Sequence, residues 1–332
     1  MRPFAYAAPG SVPAVIDALR DARPGTKILA GGTTLYDLMK LGVEAPPAVI
    51  DVHRLPELTG ISVADTELVF GAGVRMADVS DHPVVSADYP ALAESIWRAA
   101  SQQLRNMATL GGNLLQRTRC GYFRGADFAC NKRNPGSGCD AMEGHDRHNA
   151  LLGASSSCSA TYAGDFAIAL LAFDATVDVV GPLGERSLAL ADLHVEPGEN
   201  PAQEHVLAPD ELIVRIRVPL TAAGRGSTYL KIRDRESYAF ALASAAIGLV
   251  LDGDGVVTES RIALGGVATR PWRAVEAERS LLGRALSEES ARRAGEIAFA
   301  AARPGHTNGF RVELGIRTVA EAVRIAGERA VR

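Results

Sequence analysis

The sequence predicts an α+β fold with an α/β front part and a smaller α+β back part. Three observations predict it. The first fifty residues alternate helical and strand patterning, strand pairs around short turns recur through the middle, and the last part joins a long hairpin to amphipathic helices.

At the front, a helix pattern over 12–22 leads to the apolar strand "KILA", the pair Gly31–Gly32, a second helix pattern "TTLYDLMKLG" and the strand "AVIDV". Next, "LTGISVADTELVFGAGV" reads as two strands around a turn at Asp65–Thr66. "GAGVRM" (71–76) lacks the third glycine of a dinucleotide fingerprint and reads as a hairpin feature. A helix is expected over 90–101, followed by "NMATLGGNL" and a cysteine-bearing segment, 117–158, of irregular backbone. Regular structure resumes with the helix "DFAIALLAFDA", a strand pair turning at Pro182–Gly184, and the strand "ELIVRIRVP". The small, polar stretch "LTAAGRGS" is the expected linker. Beyond it lie the strand "TYLKIRD", a hairpin turning at 252–255 and at least two amphipathic helices. The expected domains are 1–222, divided at about residue 55 and carrying 117–158 as an insertion, and 226–332.

Composition narrows the function. The 332 residues are 47% hydrophobic and 22% charged, with a mean hydropathy of +0.05. Thirty-five basic against 39 acidic residues leave a net charge of −4 and no basic face for nucleic acid. The first 25 residues hold no apolar core of signal-peptide length, and no apolar run is long enough to span a bilayer. The expectation is a cytoplasmic chain without membrane insertion, or a periplasmic one if exported folded with a signal-bearing partner.

Two glycine pairs sit where backbone must approach something closely. In "LAGGTTLYDL", Gly31 and Gly32 precede Thr33 and Thr34 at a helix start, where bare amides favour a phosphate; a Thr-capped turn is the plain alternative. In "TLGGNL", Gly111 and Gly112 admit close approach, while Thr109 and Asn113 supply polar side chains. All four cysteines, Cys120, Cys130, Cys139 and Cys158, fall within 117–158. Such clustering suggests coordination or bridging. Zinc, joined by His145 or His148, prefers shorter paired spacings than the nine, eight and eighteen residues found here. Two disulfides would need an oxidising compartment, and four inert thiols leave the clustering without a reason.

"AGGTTLYDLMK", "TLGGNL", "GDFAIALLAFDA" and "TYLKIRDRESYAFALASAA", in that order, resemble the FAD-binding subunit of the molybdenum hydroxylases, the xanthine dehydrogenase family. The likeness covers nearly the whole chain and is strongest to the aromatic aldehyde oxidoreductase branch. It implies a two-subdomain PCMH-type FAD-binding fold followed by a CO dehydrogenase flavoprotein-like domain of antiparallel sheet plus helices. It further implies that Ala30, Gly31, Gly32, Thr33 and Thr34 wrap the FAD pyrophosphate, while Thr109, Gly112 and Asn113 line the diphosphate and ribityl chain. Asp165 would accept from ribityl or ribose hydroxyls, with a helix cap as its plain alternative. Lys231 would stand near the pyrimidine edge of the flavin, with a solvated edge-strand lysine as the alternative. Where relatives place a proline and a small hydroxyl residue before the aspartate, this chain has Tyr162–Ala163–Gly164.

The same resemblance implies a [4Fe–4S] cluster on Cys120, Cys130, Cys139 and Cys158, thiolate being its usual ligand. Arg117, Arg119, Arg124, Lys132 and Arg133 would offset its charge, and Gly121, Gly136 and Gly138 would leave amides for its sulfurs. The implied role is electron transfer beside a large molybdenum-cofactor subunit and a small subunit with two [2Fe–2S] clusters, ending on an external acceptor. A stand-alone flavin oxidase and a metal-stapled scaffold without flavin are the alternatives.

Overall fold

Three separate sheets organise the protein, whose computed structural model describes residues 1–331. The first is parallel, in the order β1 (Ala5–Ala7), β3 (Ala48–Asp51), β2 (Lys27–Leu29). Parallel neighbours need crossovers, and the helices Val12–Arg20 and Leu35–Lys40 supply them. Ser11 caps the first of these by accepting from the Ala14 amide at 3.3 Å. Its apolar face, Val15, Ile16 and Leu19, packs in one core with Ile50 and Val52.

The second sheet is antiparallel, ordered β4 (Ile61–Val63), β5 (Glu67–Gly71), β8 (Leu212–Pro219), β6 (Thr176–Gly181), β7 (Gly184–Ala189). Strand β8 serves two cores. Asp178 pairs Arg215 and Val179 pairs Ile213, so Val214 is an extra residue that reverses the facing of side chains along the strand. Leu212 and Val214 join the core beneath the first sheet, whereas Ile216 and Val218 join the large central core. Inside that central core lies the helix Phe166–Ala172, every residue of which is buried.

The third sheet, β12 (Trp272–Arg273), β11 (Val257–Gly265), β10 (Ala243–Leu251), β9 (Ser227–Ile232), is antiparallel. It shares a core with the helices Val275–Leu281, Glu288–Ala298 and Phe310–Ala330. The architecture is thus the expected α+β arrangement of two subdomains and a carboxyl-terminal sheet with helices.

Two local expectations need correction. Residues 220–227 are a packed joint, not a loose linker: Ala223 and Gly224 are buried, and the Tyr89 hydroxyl donates to Pro219 O at 2.8 Å while accepting from the Thr221 amide at 2.7 Å. Small residues are needed there because backbone passes close to backbone; a Cβ on Gly226 would lie 2.3 Å from Leu249 O. "GAGVRM" is not a hairpin feature. It turns β5 into the helix Met76–Ser80, with Gly71 and Gly73 packed on Leu58. "TLGGNL" is helical over Leu110–Leu114, with the Thr109 hydroxyl accepting from the Gly112 amide at 3.4 Å. Among the described residues no helix is long and apolar enough to cross a membrane.

Candidate functional site

The first glycine turn leaves β2 at Leu29 and enters the helix Leu35–Lys40. Gly32 has φ +74°, the left-handed region that glycine enters at little cost. Among the described residues, none of the amides of Gly31, Gly32, Thr33 and Thr34 donates to a backbone carbonyl, and Thr34 makes no side-chain cap. Unpaired backbone donors in a half-buried turn call for an external acceptor. The Thr-capped turn is therefore not what forms here.

The second turn lies directly against the first. A Cβ on Gly31 would fall 2.0 Å from Met107 O and 2.9 Å from Ala108 Cα, so only glycine allows the two backbones to meet. A Cβ on Gly112 would face Thr109 Oγ1 at 3.0 Å and Ala30 Cβ at 3.9 Å, in the gap between the turns. Gly111 instead packs on Ala72. Asn113 donates from Nδ2 to Met76 Sδ at 3.4 Å, while its Oδ1 is buried without a partner. A bare amide run, an orphaned amide oxygen and a gap that a Cβ would narrow are what a diphosphate and its hydroxylated chain require. The residues fit FAD on that test.

Asp165 and Lys231, the other two residues expected at the site, pair with each other. Neither plain alternative holds. Asp165 stands at the start of the helix Phe166–Ala172 but makes no side-chain cap. It instead accepts from Lys231 Nζ at 2.7 Å and from the Tyr229 hydroxyl at 2.6 Å. Lys231 lies on the edge strand β9, yet its side chain is 1% exposed; Nζ also donates to Arg98 O at 3.1 Å. Burial, followed by the Asp165 charge, raises the Tyr229 phenol well above its usual range. Tyr229 was not foreseen as a site residue. The period of two along β9, which puts Tyr229 and Lys231 on one face, was the signal available.

The cysteine segment gathers around the same region. Its one helical turn, Gly121–Arg124, brings Phe123, Cys120 and Cys130 against Leu38 of the helix that follows the first glycine turn. Arg119 and Arg124 both bond Asp37 on that helix, and Arg119 also reaches Thr34 Oγ1 at 3.4 Å. All four cysteines are free thiols, with Cys130 and Cys158 buried. The backbones of Cys130 and Cys139 form an antiparallel bridge. The Ala160 amide bonds Cys158 Sγ at 3.4 Å, and the amides of Phe123 and Tyr122 beside Cys120 and of Ala141 and Met142 beside Cys139 favour their thiolates. These are not the Gly121, Gly136 and Gly138 amides expected; the Gly138 amide donates to Asn131 Oδ1. Burial pushes the Cys158 thiol up to about 11, a cost that the nearby Lys132 only partly offsets.

The cations of the segment are also committed. Arg117 pairs Glu44 and Glu204, Lys132 pairs Glu204 at 3.1 Å, and Arg133 donates to the carbonyls of Tyr122, Phe123, Ala126 and Phe128. His145 and His148 are exposed, and among the described residues no three of His, Cys, Asp and Glu converge on one metal-ion position. Far from the cysteines in sequence, Arg311 is wholly buried and donates to the carbonyls of Arg147, Asn149, Leu242 and Gly266, while Asp146 accepts from the His306 and Thr307 amides. The segment is therefore tied to both subdomains and to the carboxyl-terminal domain.

A two-turn cradle with these unpaired donors, set in this two-subdomain fold, defines a flavoprotein subunit. Comparison with known proteins agrees. Residues 2–221 match the FAD binding domain in molybdopterin dehydrogenase, and 228–326 match the CO dehydrogenase flavoprotein C-terminal domain. The aldehyde oxidoreductase FAD-binding subunit PaoB of Escherichia coli K12 is 45% identical over 309 residues, covering 92% of this chain and 93% of that one. The carbon monoxide dehydrogenase medium chain of Hydrogenophaga pseudoflava is 29% identical, over 91% of this chain and 88% of its own. The solved carbon monoxide dehydrogenase from that organism superposes with a TM-score of 0.77 over 99% of both chains, at 29% identity. Quinoline 2-oxidoreductase from Pseudomonas putida 86 does so with 0.77 at 26% identity, over 100% of this chain and 99% of that one. The chain belongs to the FAD-binding subunits of the molybdenum hydroxylase family and is an oxidoreductase subunit.

Proposed function

We propose that this chain binds FAD and a [4Fe–4S] cluster and relays electrons within an aldehyde oxidoreductase complex. In that complex a large molybdenum-cofactor subunit oxidises the substrate, and a small subunit with two [2Fe–2S] clusters delivers the electrons. An external acceptor removes them. The observation that carries the reading is the meeting of the two glycine turns at Gly31 and Met107, with amides 31–34 and Asn113 Oδ1 left unpaired. The 45% identity to an aldehyde oxidoreductase FAD-binding subunit supports the substrate class.

In this reading Ala30, Gly31, Gly32, Thr33 and Thr34 hold the pyrophosphate through main-chain N–H groups, and Thr109, Gly112 and Asn113 hold the chain between phosphate and ring. Asp165 already accepts from Lys231 and Tyr229, and its two oxygens keep room for further donors from ribose or ribityl hydroxyls. Lys231, the residue assigned to the ring side, holds Asp165 in place through its ion pair. FAD, when bound, supplies chemistry that couples single-electron input to a two-electron output.

Cys120, Cys130, Cys139 and Cys158 are the proposed cluster ligands. Support comes from the backbone amides beside three of the four cysteines, an arrangement that stabilises thiolate and tunes a cluster's potential. The absence, among the described residues, of a common single-ion position weighs against zinc. It weighs less against a cubane, in which each thiolate meets a different iron.

The purified complex should show a flavin band above a broad iron–sulfur shoulder, and two further subunits should co-purify. A chain that purifies alone with flavin and turns over aldehyde would favour the free-standing oxidase. Cys130→Ala should remove the cluster's iron, and an unchanged iron content in that variant defeats the ligand assignment.

A further inference from the structure

Tyr162 stands three residues before Asp165, and the structure gives it a specific connection. Its hydroxyl donates to Leu114 O at 3.0 Å, with Asn113 O at 3.5 Å, at the end of the second glycine turn. Among the described residues these are the side-chain hydrogen bonds that join 158–164 to 109–114. Room for the ring comes from Gly164, where a Cβ would lie 2.6 Å from the Tyr162 oxygen. Tyr162 and Gly164 therefore work as a pair in the "YAG" that precedes Asp165.

The stem that carries Tyr162 begins at Cys158, whose sulfur accepts from the Ala160 amide. It is tied to the other stem of the cysteine segment by Thr118. The Thr118 hydroxyl donates to Thr161 O at 2.9 Å and accepts from the Cys120 amide at 3.2 Å. Both stems thus end on a cysteine and meet beside Tyr162. Leu114 O also receives His194 Nε2 at 2.8 Å, and the His194 ring stands edge-on to Tyr162 at 4.7 Å. Burial drives His194 down to about 4, so the ring is neutral near pH 7 and donates from Nε2. The Tyr162 hydroxyl thus ties the Cys158 stem to the turn, which the Cys120 stem reaches directly along the chain.

We propose that Tyr162 is a positioning residue that couples the cysteine segment to the flavin cradle, so that an ordered cluster fixes the second glycine turn for FAD. The inference rests on the cluster reading above. An ordered pair of stems holds the hydroxyl against Leu114 O and thereby sets the Gly112 amide and the Asn113 side chain. Without the cluster the stems are free to shift, and the turn loses one of its supports.

A double-mutant cycle in the full chain, co-expressed with its partner subunits, tests this: wild type, Tyr162→Phe, Cys158→Ser and the double variant. FAD dissociation constants, iron and acid-labile sulfide contents, and the visible circular dichroism of bound flavin are measured. Tyr162→Phe keeps the ring and removes one buried hydrogen bond, so FAD should bind about five-fold more weakly. Iron, sulfide and the melting temperature of the flavin-free chain should match wild type, and the flavin dichroism should change. Cys158→Ser should weaken FAD as well, and the double variant should be no weaker than the worse single one. Should Cys158→Ser fail to fold, Thr118→Val closes the same cycle. Multiplying effects, an unchanged FAD affinity in Tyr162→Phe, or iron lost in step with FAD overturns the proposal. A wild-type chain without iron overturns it too, and the iron assay shows that failure to be one of the cluster reading.

Discussion

The glycine turns and the Asp165 group differ in how much bonding they leave undone. At the glycine turns, amides 31–34 and Asn113 Oδ1 have no partner among the described residues. Around Asp165 the carboxylate, phenol and ammonium are all paired: Asp165 with Lys231 and Tyr229, Tyr229 also with Ser244 at 2.9 Å, and Lys231 also with Arg98 O, with Arg98 Nε the buried group left over. Buried polar groups without partners cost free energy that a bound ligand recovers. A buried ion pair stripped of one member costs more, because a charge is left uncompensated. The glycine turns are thus shaped for the ligand, and the Asp165 group is ordered by the fold before any ligand arrives.

That contrast sets an order of effects. Lys231→Met should be the most damaging change, leaving Asp165 buried with only the Tyr229 hydroxyl; we expect a loss of about 3–5 kcal/mol in chemical denaturation of the flavin-free chain. A smaller loss would mean that the pair is open to water and that the two regions are more alike than the structure makes them. Gly31→Ala comes next. Its Cβ meets a carbonyl that no rotamer can move, so about 1–3 kcal/mol should be lost together with FAD binding. Gly112→Ala should separate the two functions of glycine. It lies in a helical turn where alanine is tolerated, so stability should stay within about 1 kcal/mol, while FAD affinity falls about ten-fold. Equal FAD affinity in Gly112→Ala, read by fluorescence titration, would move the ligand away from the gap between the turns.

The four glycines show how far sequence reading reaches. The pairs at 31–32 and 111–112 stand out as places of close backbone approach, because only glycine has no Cβ to exclude it. Their division of labour was not legible. Gly31 serves the contact between turns, Gly32 a left-handed φ, Gly111 the packing on Ala72, and only Gly112 faces the gap. The polar linker misled for the same reason. Small residues suit both a flexible connection and a tight one, and only the neighbours Tyr89 and Leu249 distinguish them.

The sequence by itself determined the family, the α+β class and the grouping of four thiols in one irregular segment, since motifs, periodicity and composition are local properties of the chain. Tertiary structure alone decided that Lys231 is buried against Asp165, that Arg311 and Asp146 lock the cysteine segment to the carboxyl-terminal domain, and that Tyr162 reaches Leu114. Each of those links joins residues 48 to 164 positions apart. Partners at such separations are chosen by packing and by the need to satisfy buried polar groups, and neither is written in any one stretch of the chain.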